Sequence, residues 1–227
     1  MASHSYDVLS RLKPQVPAGM VERATQWTPD SVPSVAAPAA SVILLRDSQD
    51  GLETYLLHRH AHMPFAASMV VFPGGRVDPI DAETGLDPIR RCAIRETAEE
   101  TGVFLDEAAL FPWARWITPA IEPRRYDTWF FVAAMPGDQE AVDISGETNL
   151  AEWSAPRTAL ADERSGLIKM LPPTMSILIE LTDLVTVVEV INHAADRKIE
   201  PVLPRLLKTE SGWQFRYPRT HSSETSS

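Results

Sequence analysis

The sequence lacks several features that mark particular classes of protein. It has one cysteine, Cys92, in 227 residues, which excludes a disulfide within the chain and favours a reducing compartment. Residues 1–15 contain no apolar stretch of the kind found in secretory signal peptides, and no apolar run is long enough to span a bilayer. These absences predict a cytoplasmic protein that has no membrane partner.

Basic side chains are also few. Lysine and arginine total 21 against 31 aspartate and glutamate residues, which gives a formal net charge of −10 and an isoelectric point near 5.1. This balance argues against nucleic acid as a partner held by a basic surface. It leaves room for an anionic substrate, because local arginines and a bound cation can reverse the electric field inside one cleft.

The length and an apolar content of 44% suffice for one domain with a buried core. We expect an N-terminal arm over residues 1–37, a principal domain over 38–200, and a C-terminal extension with a disordered tail over 201–227. Short apolar runs bounded by charged residues, prolines and turn residues predict strands at 40–47, 52–59, 68–72 and 124–136.

Two helices are also predicted. Asp87 suits the N-cap of the first, Pro88 its first helical position and Gly102 its C-terminal stop. The second should run from Pro172 to about Asp196, and its apolar stripe should pack into the core or form the seam of a homodimer. That stripe consists of Ile177, Leu178, Leu181, Leu184, Val185, Val188 and Ile191. Strands combined with these helices predict an α/β fold with a mixed sheet.

Three glutamates crowd the last turns of the first helix, in the stretch "RETAEETG". Glu96, Glu99 and Glu100 share one face about 100° wide, because each helical residue advances about 100°. Negative charge is unfavourable at a helix C-terminus, and like charges four residues apart add to the cost. Carboxylate oxygens are the ligands that Mg²⁺ and Mn²⁺ prefer, so a metal site would explain the cluster. A solvated acidic face is the alternative.

The surroundings of this cluster resemble the sequence box of the Nudix hydrolases, G-x5-E-x7-R-E-U-x-E-E-x-G-U, where U is aliphatic. Asp81 stands where the box has its first glutamate, six extra residues separate it from Arg95, and Thr97 replaces an aliphatic residue. Stretches such as "VVFPGGRVDPID" and "GETNLAEW" look like the branch of peroxisomal coenzyme A diphosphatases. The matching positions of the box are Gly75, Arg95, Glu96, Glu99, Glu100, Gly102 and Val103.

The resemblance implies an α/β/α sandwich with an additional C-terminal helix. It also implies hydrolysis, with Mg²⁺ or Mn²⁺, of a nucleoside diphosphate linked to another group. Glu96, Glu99 and Glu100 would bind the metal, and Arg95 would orient them by ion pairing. Glu147 is either a further ligand or the general base, or a polar loop residue; Glu99 or Glu100 could activate water instead. Gly74 and Gly75 would shape the loop that supports these ligands, and both would contact the substrate.

The branch resemblance favours coenzyme A or an acyl-coenzyme A as substrate. Pro64 and Ser68 depart from that branch, which has an arginine and a glycine there, so ADP-ribose or a dinucleotide is the alternative substrate. A non-catalytic nucleotide sensor is a further alternative, although a sensor has no need of the full glutamate set. Candidate phosphate ligands, each with structural ion pairing as the alternative, are Arg59, Arg124 and Arg125.

Overall fold

The computed structural model describes residues 6–12, 15–28, 30–60, 66, 68–83, 85, 87–146 and 148–217. Its helices are α1 (Tyr6–Ser10), α2 (Ala18–Gln26), α3 (Pro88–Thr101), α4 (Pro156–Ser165), α5 (Pro172–Leu181) and α6 (Val187–Ala195). Its strands are β1 (Ala37–Ser48), β2 (Gly51–Arg59), β3 (Val70–Val71), β4 (Gly74–Arg76), β5 (Phe111–Ile117), β6 (Tyr126–Ala134), β7 (Thr148–Ser154), β8 (Pro201–Val202), β9 (Arg205–Thr209) and β10 (Gly212–Arg216).

Eight of the strands form one mixed sheet. Its order is β3-β2-β1-β6-β5-β8, with β4 paired to β1 and β7 paired to β2. The central strand β1 runs parallel to β6 and antiparallel to β2 and β4. Strands β9 and β10 form a separate antiparallel hairpin. The short strand β4 therefore lies beside the first half of β1, where α3 crosses the sheet.

Side chains alternate along β1 between two apolar cores, one on each face of the sheet. Val42 and Leu44 pack with Cys92 and Ala93 of α3 on one face. Ile43 and Leu45 belong to the core on the other face, to which α1, α4, α5 and α6 contribute buried residues. The predicted α/β/α sandwich with a mixed sheet is confirmed. Among the described residues, no helix combines the length and the apolar character that a membrane span needs.

The helix predicted from Pro172 to Asp196 is wrong as a single element, because the chain forms α5 and α6 with a break between them. Thr186 caps α6: its hydroxyl accepts the Glu189 amide at 3.2 Å, and the Glu189 carboxylate accepts the Val185 amide at 2.8 Å. The break changes which side chains face the core, so Val185 and Val188 of the predicted stripe are 63% and 64% exposed.

Several elements were not predicted from the sequence. They include α4, the buried strand β5 with Trp113 and Trp116, and the strands after residue 200. In the N-terminal arm, α1 contacts α5, and Leu9 and Leu12 are buried in the core there. Strand β8 adds an edge to the main sheet beside β5. The predicted disordered tail, residues 219–227, lies outside the described residues, and the proposed domain boundaries stay predictions.

Candidate metal-binding active site

Helix α3 begins and ends where its sequence predicts. The Asp87 carboxylate accepts the Ile89 amide at 3.0 Å, Pro88 is the first helical residue, and Gly102 ends the helix in the left-handed conformation with φ of 70°. The side chains of Cys92 and Thr97, on the side of the helix that faces the sheet, are fully buried. Burial raises the pKa of the Cys92 thiol to about 12, which fits packing and not reactivity.

Two glycines of β4 allow the backbone to approach the glutamates closely. The Gly74 amide donates to Glu100 Oε2 at 2.7 Å, and Glu100 is buried. A Cβ on Gly74 would lie 2.3 Å from the Ala40 carbonyl oxygen, and one on Gly75 would lie 2.4 Å from the Glu96 carboxylate carbon. The missing side chain at Gly75 thus leaves room for the Glu96 carboxylate, and the Gly74 amide holds that of Glu100.

Arg95 joins the remaining acidic side chains into one cluster. Its guanidinium donates to both Asp81 oxygens, from Nε at 2.9 Å and from Nη2 at 3.0 Å. Nη1 donates to Glu96 at 2.9 Å and to Glu99 at 3.0 Å, and Nη2 also reaches the Arg76 carbonyl at 3.1 Å. We call Asp81, Arg95, Glu96 and Glu99 the Arg95 cluster; one guanidinium there faces three carboxylates.

The acids of the cluster differ in protonation behaviour. Burial acts to raise the pKa of Asp81, but hydrogen bonds from Arg95 and the Asp78 amide outweigh it, so the pKa lies below its ordinary value. The pKa of Glu96 is raised, chiefly by burial, which the hydrogen bond and the charge of Arg95 offset only in part; repulsion from Glu99 adds to the rise. The charged form of Asp81 is therefore stabilised by its partners, whereas the charged form of Glu96 is less well stabilised and would gain from a further cation.

The chemistry of these side chains fits a divalent cation. Asp81, Glu96, Glu99 and Glu100 carry four negative charges, while Arg95 and Arg59, whose Nη1 lies 3.8 Å from Glu100 Oε1, carry two positive ones. Hard carboxylate oxygens gathered in this number suit Mg²⁺ or Mn²⁺. Within the described part of the chain, no three acidic, histidine or cysteine side chains converge as a complete ligand group. Glu99, 59% exposed, has room to reorient.

The other predicted site residues lie in different surroundings. Arg59 is close to Glu100, but Arg125 donates to the backbone carbonyls of Thr118 at 3.0 Å and Ser34 at 2.6 Å. Arg124 is exposed in the same loop. The phosphate-binding roles of these arginines remain predictions. Glu147, the candidate base or ligand, lies outside the described residues.

Sequence reasoning missed two features of the site. It placed Asp81 in the box but assigned it no role, although the fully buried carboxylate binds Arg95 through both oxygens. It also missed residues 139–144, which run antiparallel to the end of α3: the Val142 amide donates to the Thr101 carbonyl at 3.0 Å and the Ile144 amide to that of Glu100 at 3.3 Å. No local pattern in that segment indicates this long-range pairing.

Comparisons with known proteins identify the family of the chain. The NUDIX domain profile matches residues 35–172. The chain is 27% identical over 180 residues to putative nudix hydrolase 7 of Caenorhabditis elegans, covering 63% of this chain and 60% of that protein. It is 29% identical over 111 residues to the acyl-coenzyme A diphosphatase NUDT19 of Xenopus laevis, covering 46% of this chain and 29% of that protein.

Among solved structures, a NUDIX hydrolase from Alicyclobacillus acidocaldarius superposes with a TM-score of 0.64 at 24% identity, over 70% of this chain and 96% of that one. This likeness supports the fold, and the domain match spans more than half of the chain and contains the whole Arg95 cluster. The chain therefore belongs to the Nudix family.

Proposed function

We propose that this protein hydrolyses the diphosphate of coenzyme A or an acyl-coenzyme A with the help of Mg²⁺ or Mn²⁺. The observation that carries the proposal is the excess of carboxylates beside α3: Glu96, Glu99 and Glu100 of that helix and Asp81 of the preceding turn meet the guanidinium groups of Arg95 and Arg59. Such an excess is costly in a protein that binds no cation and useful in one that must neutralise a diphosphate.

The metal would be held by Glu96, Glu99 and Glu100, and Glu147 is the candidate for a further ligand. Nudix hydrolases generally use divalent metal ions, and such an ion polarises the phosphoryl group and neutralises the charge of the leaving group. Arg95 orients Glu96 and Glu99 by its two short hydrogen bonds. The Gly74 amide similarly fixes the buried Glu100 carboxylate.

The reaction consumes one water molecule and yields two phosphate monoesters. A carboxylate of Glu147, Glu99 or Glu100 accepts a proton from water, the water oxygen bonds to phosphorus, and the bridging P–O bond breaks. Arg59, whose Nη1 lies 3.8 Å from Glu100 Oε1, would contact a phosphate oxygen. Coenzyme A would give 3′,5′-ADP and 4′-phosphopantetheine. An acyl-coenzyme A would give 3′,5′-ADP and 4′-phosphopantetheine that carries the acyl group on its sulfur.

The choice of substrate rests on the branch resemblance and on the acyl-coenzyme A diphosphatase among the relatives. ADP-ribose or a dinucleotide is the alternative, because Pro64 and Ser68 depart from the branch pattern. A cytoplasmic location, a homodimer and the division into residues 1–37, 38–200 and 201–227 belong to the same proposal.

A panel of diphosphates tests the assignment. We expect coenzyme A to give a larger kcat/KM than ADP-ribose or a dinucleotide with the same metal, the products to be identified by mass, and turnover to stop in chelator. A larger kcat/KM for ADP-ribose would overturn the substrate but not the reaction. Metal-independent turnover would overturn the mechanism. Nucleotide binding without cleavage of any substrate would indicate the sensor instead.

A further inference from the structure

The chain between β6 and β7 contacts both partners of the ion pair between Arg59 and Glu100. On the helix side, the Ile144 amide donates to the Glu100 carbonyl at 3.3 Å. On the sheet side, Thr148 is the register partner of Arg59. Arg59 Nη1 lies 3.8 Å from Glu100 Oε1. A few residues of chain therefore connect the helix that carries the carboxylate with the strand that carries the guanidinium.

A bulge in the pairing of β2 with β7 places Thr148 beside this ion pair. His58 pairs with Leu150, so regular pairing would bring Asn149 opposite Arg59, but Thr148 takes that position. Residues that lie opposite each other in an antiparallel pair share a face of the sheet, and bulges re-aim side chains in this way. Thr148 is 8% exposed, so its hydroxyl needs a partner inside the protein.

The Asp143 carboxylate supplies that partner. Its Oδ2 accepts from the Thr148 hydroxyl, and its Oδ1 accepts from the Ser145 amide at 3.1 Å and from the Ser145 hydroxyl at 2.9 Å. Burial acts to raise the pKa of the Asp143 carboxyl, but hydrogen bonds from Thr148, Ser145 and the Gly146 amide outweigh it, so the pKa lies below its ordinary value. Asp143 therefore accepts these hydrogen bonds as a carboxylate.

The backbone at Asp143 is itself anchored on two sides. The neighbouring amides of Val142 and Ile144 donate to carbonyls at the end of α3. Below them lies Tyr55 of β2, which is 3% exposed and packs its ring edge-on against Trp153 at 5.2 Å. Burial and the Asp143 charge raise the pKa of the Tyr55 hydroxyl, and a hydrogen bond from the Asp143 backbone acts against them. The carboxylate thus acts from a fixed position between helix and sheet.

We infer that Asp143 is a positioning residue of the candidate metal site: by binding Thr148 to the segment that holds the end of α3, it sets where Glu100 lies relative to Arg59. Its effect on turnover rests on the proposed function, whereas its effect on metal binding does not require turnover. Residues that orient metal ligands from outside typically change metal affinity or activity by about 10–100-fold when they are replaced. A residue that only stabilises the fold changes neither quantity per folded molecule.

Substitutions on both sides of the hydrogen bond test the inference. Asp143→Asn keeps the shape of the side chain but loses its charge and one acceptor, and Thr148→Val removes the hydroxyl donor. Thr148→Ser keeps the hydroxyl, and Asp138→Asn alters an exposed acid in the same segment as the matched control. We would measure Mn²⁺ binding by electron paramagnetic resonance without substrate, kcat/KM for coenzyme A and ADP-ribose, and thermal melts. Asp143→Asn would also be made in an Arg59→Gln background.

Asp143→Asn and Thr148→Val should each weaken Mn²⁺ binding about tenfold and lower kcat/KM for the cleaved substrate by a similar factor. Thr148→Ser and Asp138→Asn should match wild type within about twofold, and so should the further effect of Asp143→Asn in the Arg59→Gln background, because coupled residues are not additive. If Asp143→Asn does not fold, the two Thr148 variants decide the matter.

The other outcomes separate the inference from the proposed function. Lower melting temperatures with unchanged Mn²⁺ affinity and kcat/KM would overturn the positioning role and leave a structural one. A full tenfold loss from Asp143→Asn in the Arg59→Gln background would overturn the route through Arg59. Weakened Mn²⁺ binding in a protein whose wild type cleaves no diphosphate would support the positioning role and overturn the proposed function. Absence of Mn²⁺ binding by wild type would overturn both.

Discussion

Arg197 and Arg95 lie on opposite faces of the central sheet, and they contact different numbers of carboxylates. On the face opposite α3, Arg197 meets one acid: its Nη2 contacts both Glu180 oxygens, at 2.7 and 2.8 Å. Glu180 also accepts the Trp113 indole N–H at 2.8 Å, and the guanidinium carbon lies 4.2 Å from the centroid of that ring. In the Arg95 cluster, one guanidinium faces three acids.

The number of carboxylates per arginine distinguishes a structural contact from a candidate binding site. The pair of Arg197 and Glu180 is nearly buried, balanced in charge and completed by an indole donor, so it ties α5 to β5 and has no use for a further ion. The Arg95 cluster is similarly well hydrogen-bonded but carries excess negative charge. Similar residue types therefore serve different purposes, and variants can separate them.

The largest expected effect is on stability. Glu180→Ala leaves Arg197 buried without its carboxylate, so we expect a loss of about 3–5 kcal/mol in the free energy of unfolding. Urea denaturation measures it, and activity per folded molecule should stay unchanged. Lys198→Ala, which removes the neighbouring cation from an exposed pair with Glu200, is the matched control and should leave both quantities near wild type. A loss of less than 1 kcal/mol in the free energy of unfolding of Glu180→Ala would contradict a structural role for the pair of Arg197 and Glu180.

Glu99→Gln should have the opposite profile. Glu99 is 59% exposed, so we expect little change in thermal stability. If Glu99 is a metal ligand as proposed, loss of its charge should nevertheless lower kcat/KM by roughly 100-fold or more. Glu107→Gln, which alters an acid outside the Arg95 cluster, serves as the control. Near-normal turnover by Glu99→Gln would mean that the excess charge at Arg95 is not used in catalysis.

Adjacent glycines provide a smaller and sharper perturbation. In Gly75→Ala the new Cβ meets the end of the Glu96 side chain, which can move, so we expect about a tenfold loss of kcat/KM with stability near wild type. In Gly74→Ala the Cβ meets the backbone oxygen of Ala40, which cannot move as easily, and φ is 152°. Thermal melts should therefore show the larger loss for Gly74→Ala. Full activity in Gly75→Ala would contradict a requirement for the observed Glu96 position.

These regions also show what sequence can predict. Helix α3 has its end signals within its own sequence, in Asp87, Pro88 and Gly102, so both ends were predicted correctly. The break before α6 depends on the competing cap at Thr186, which an apolar stripe does not reveal. The pairing of residues 139–144 with the end of α3 joins distant segments, and so does the balance at Arg197; neither follows from spacing alone.

The smallest expected effect concerns Glu100 without metal. Glu100→Gln removes negative charge from a helix C-terminus and one like-charge contact with Glu96, four residues earlier, which favours the variant by ~0.5–1 kcal/mol. Against this, the carboxylate accepts the Gly74 amide at 2.7 Å and lies 3.8 Å from Arg59. Glutamine retains an acceptor for the amide but loses the attraction to Arg59. We therefore expect a net gain of at most about 0.5 kcal/mol in chelator.

Saturating magnesium should reverse the order of stability, so that wild type becomes more stable than Glu100→Gln. An ion that binds the native state stabilises it by mass action, so wild type should gain more from saturating Mg²⁺ than Glu100→Gln, which lacks one of the proposed ligands. Thermal melts of both proteins in chelator and in Mg²⁺ measure the two quantities, and Glu210→Gln in the β9–β10 hairpin should respond as wild type does. If Glu100→Gln is destabilised in chelator while its response to magnesium equals that of wild type, Glu100 is a structural partner of Gly74 and Arg59. The excess charge of the site then belongs to Glu96 and Glu99.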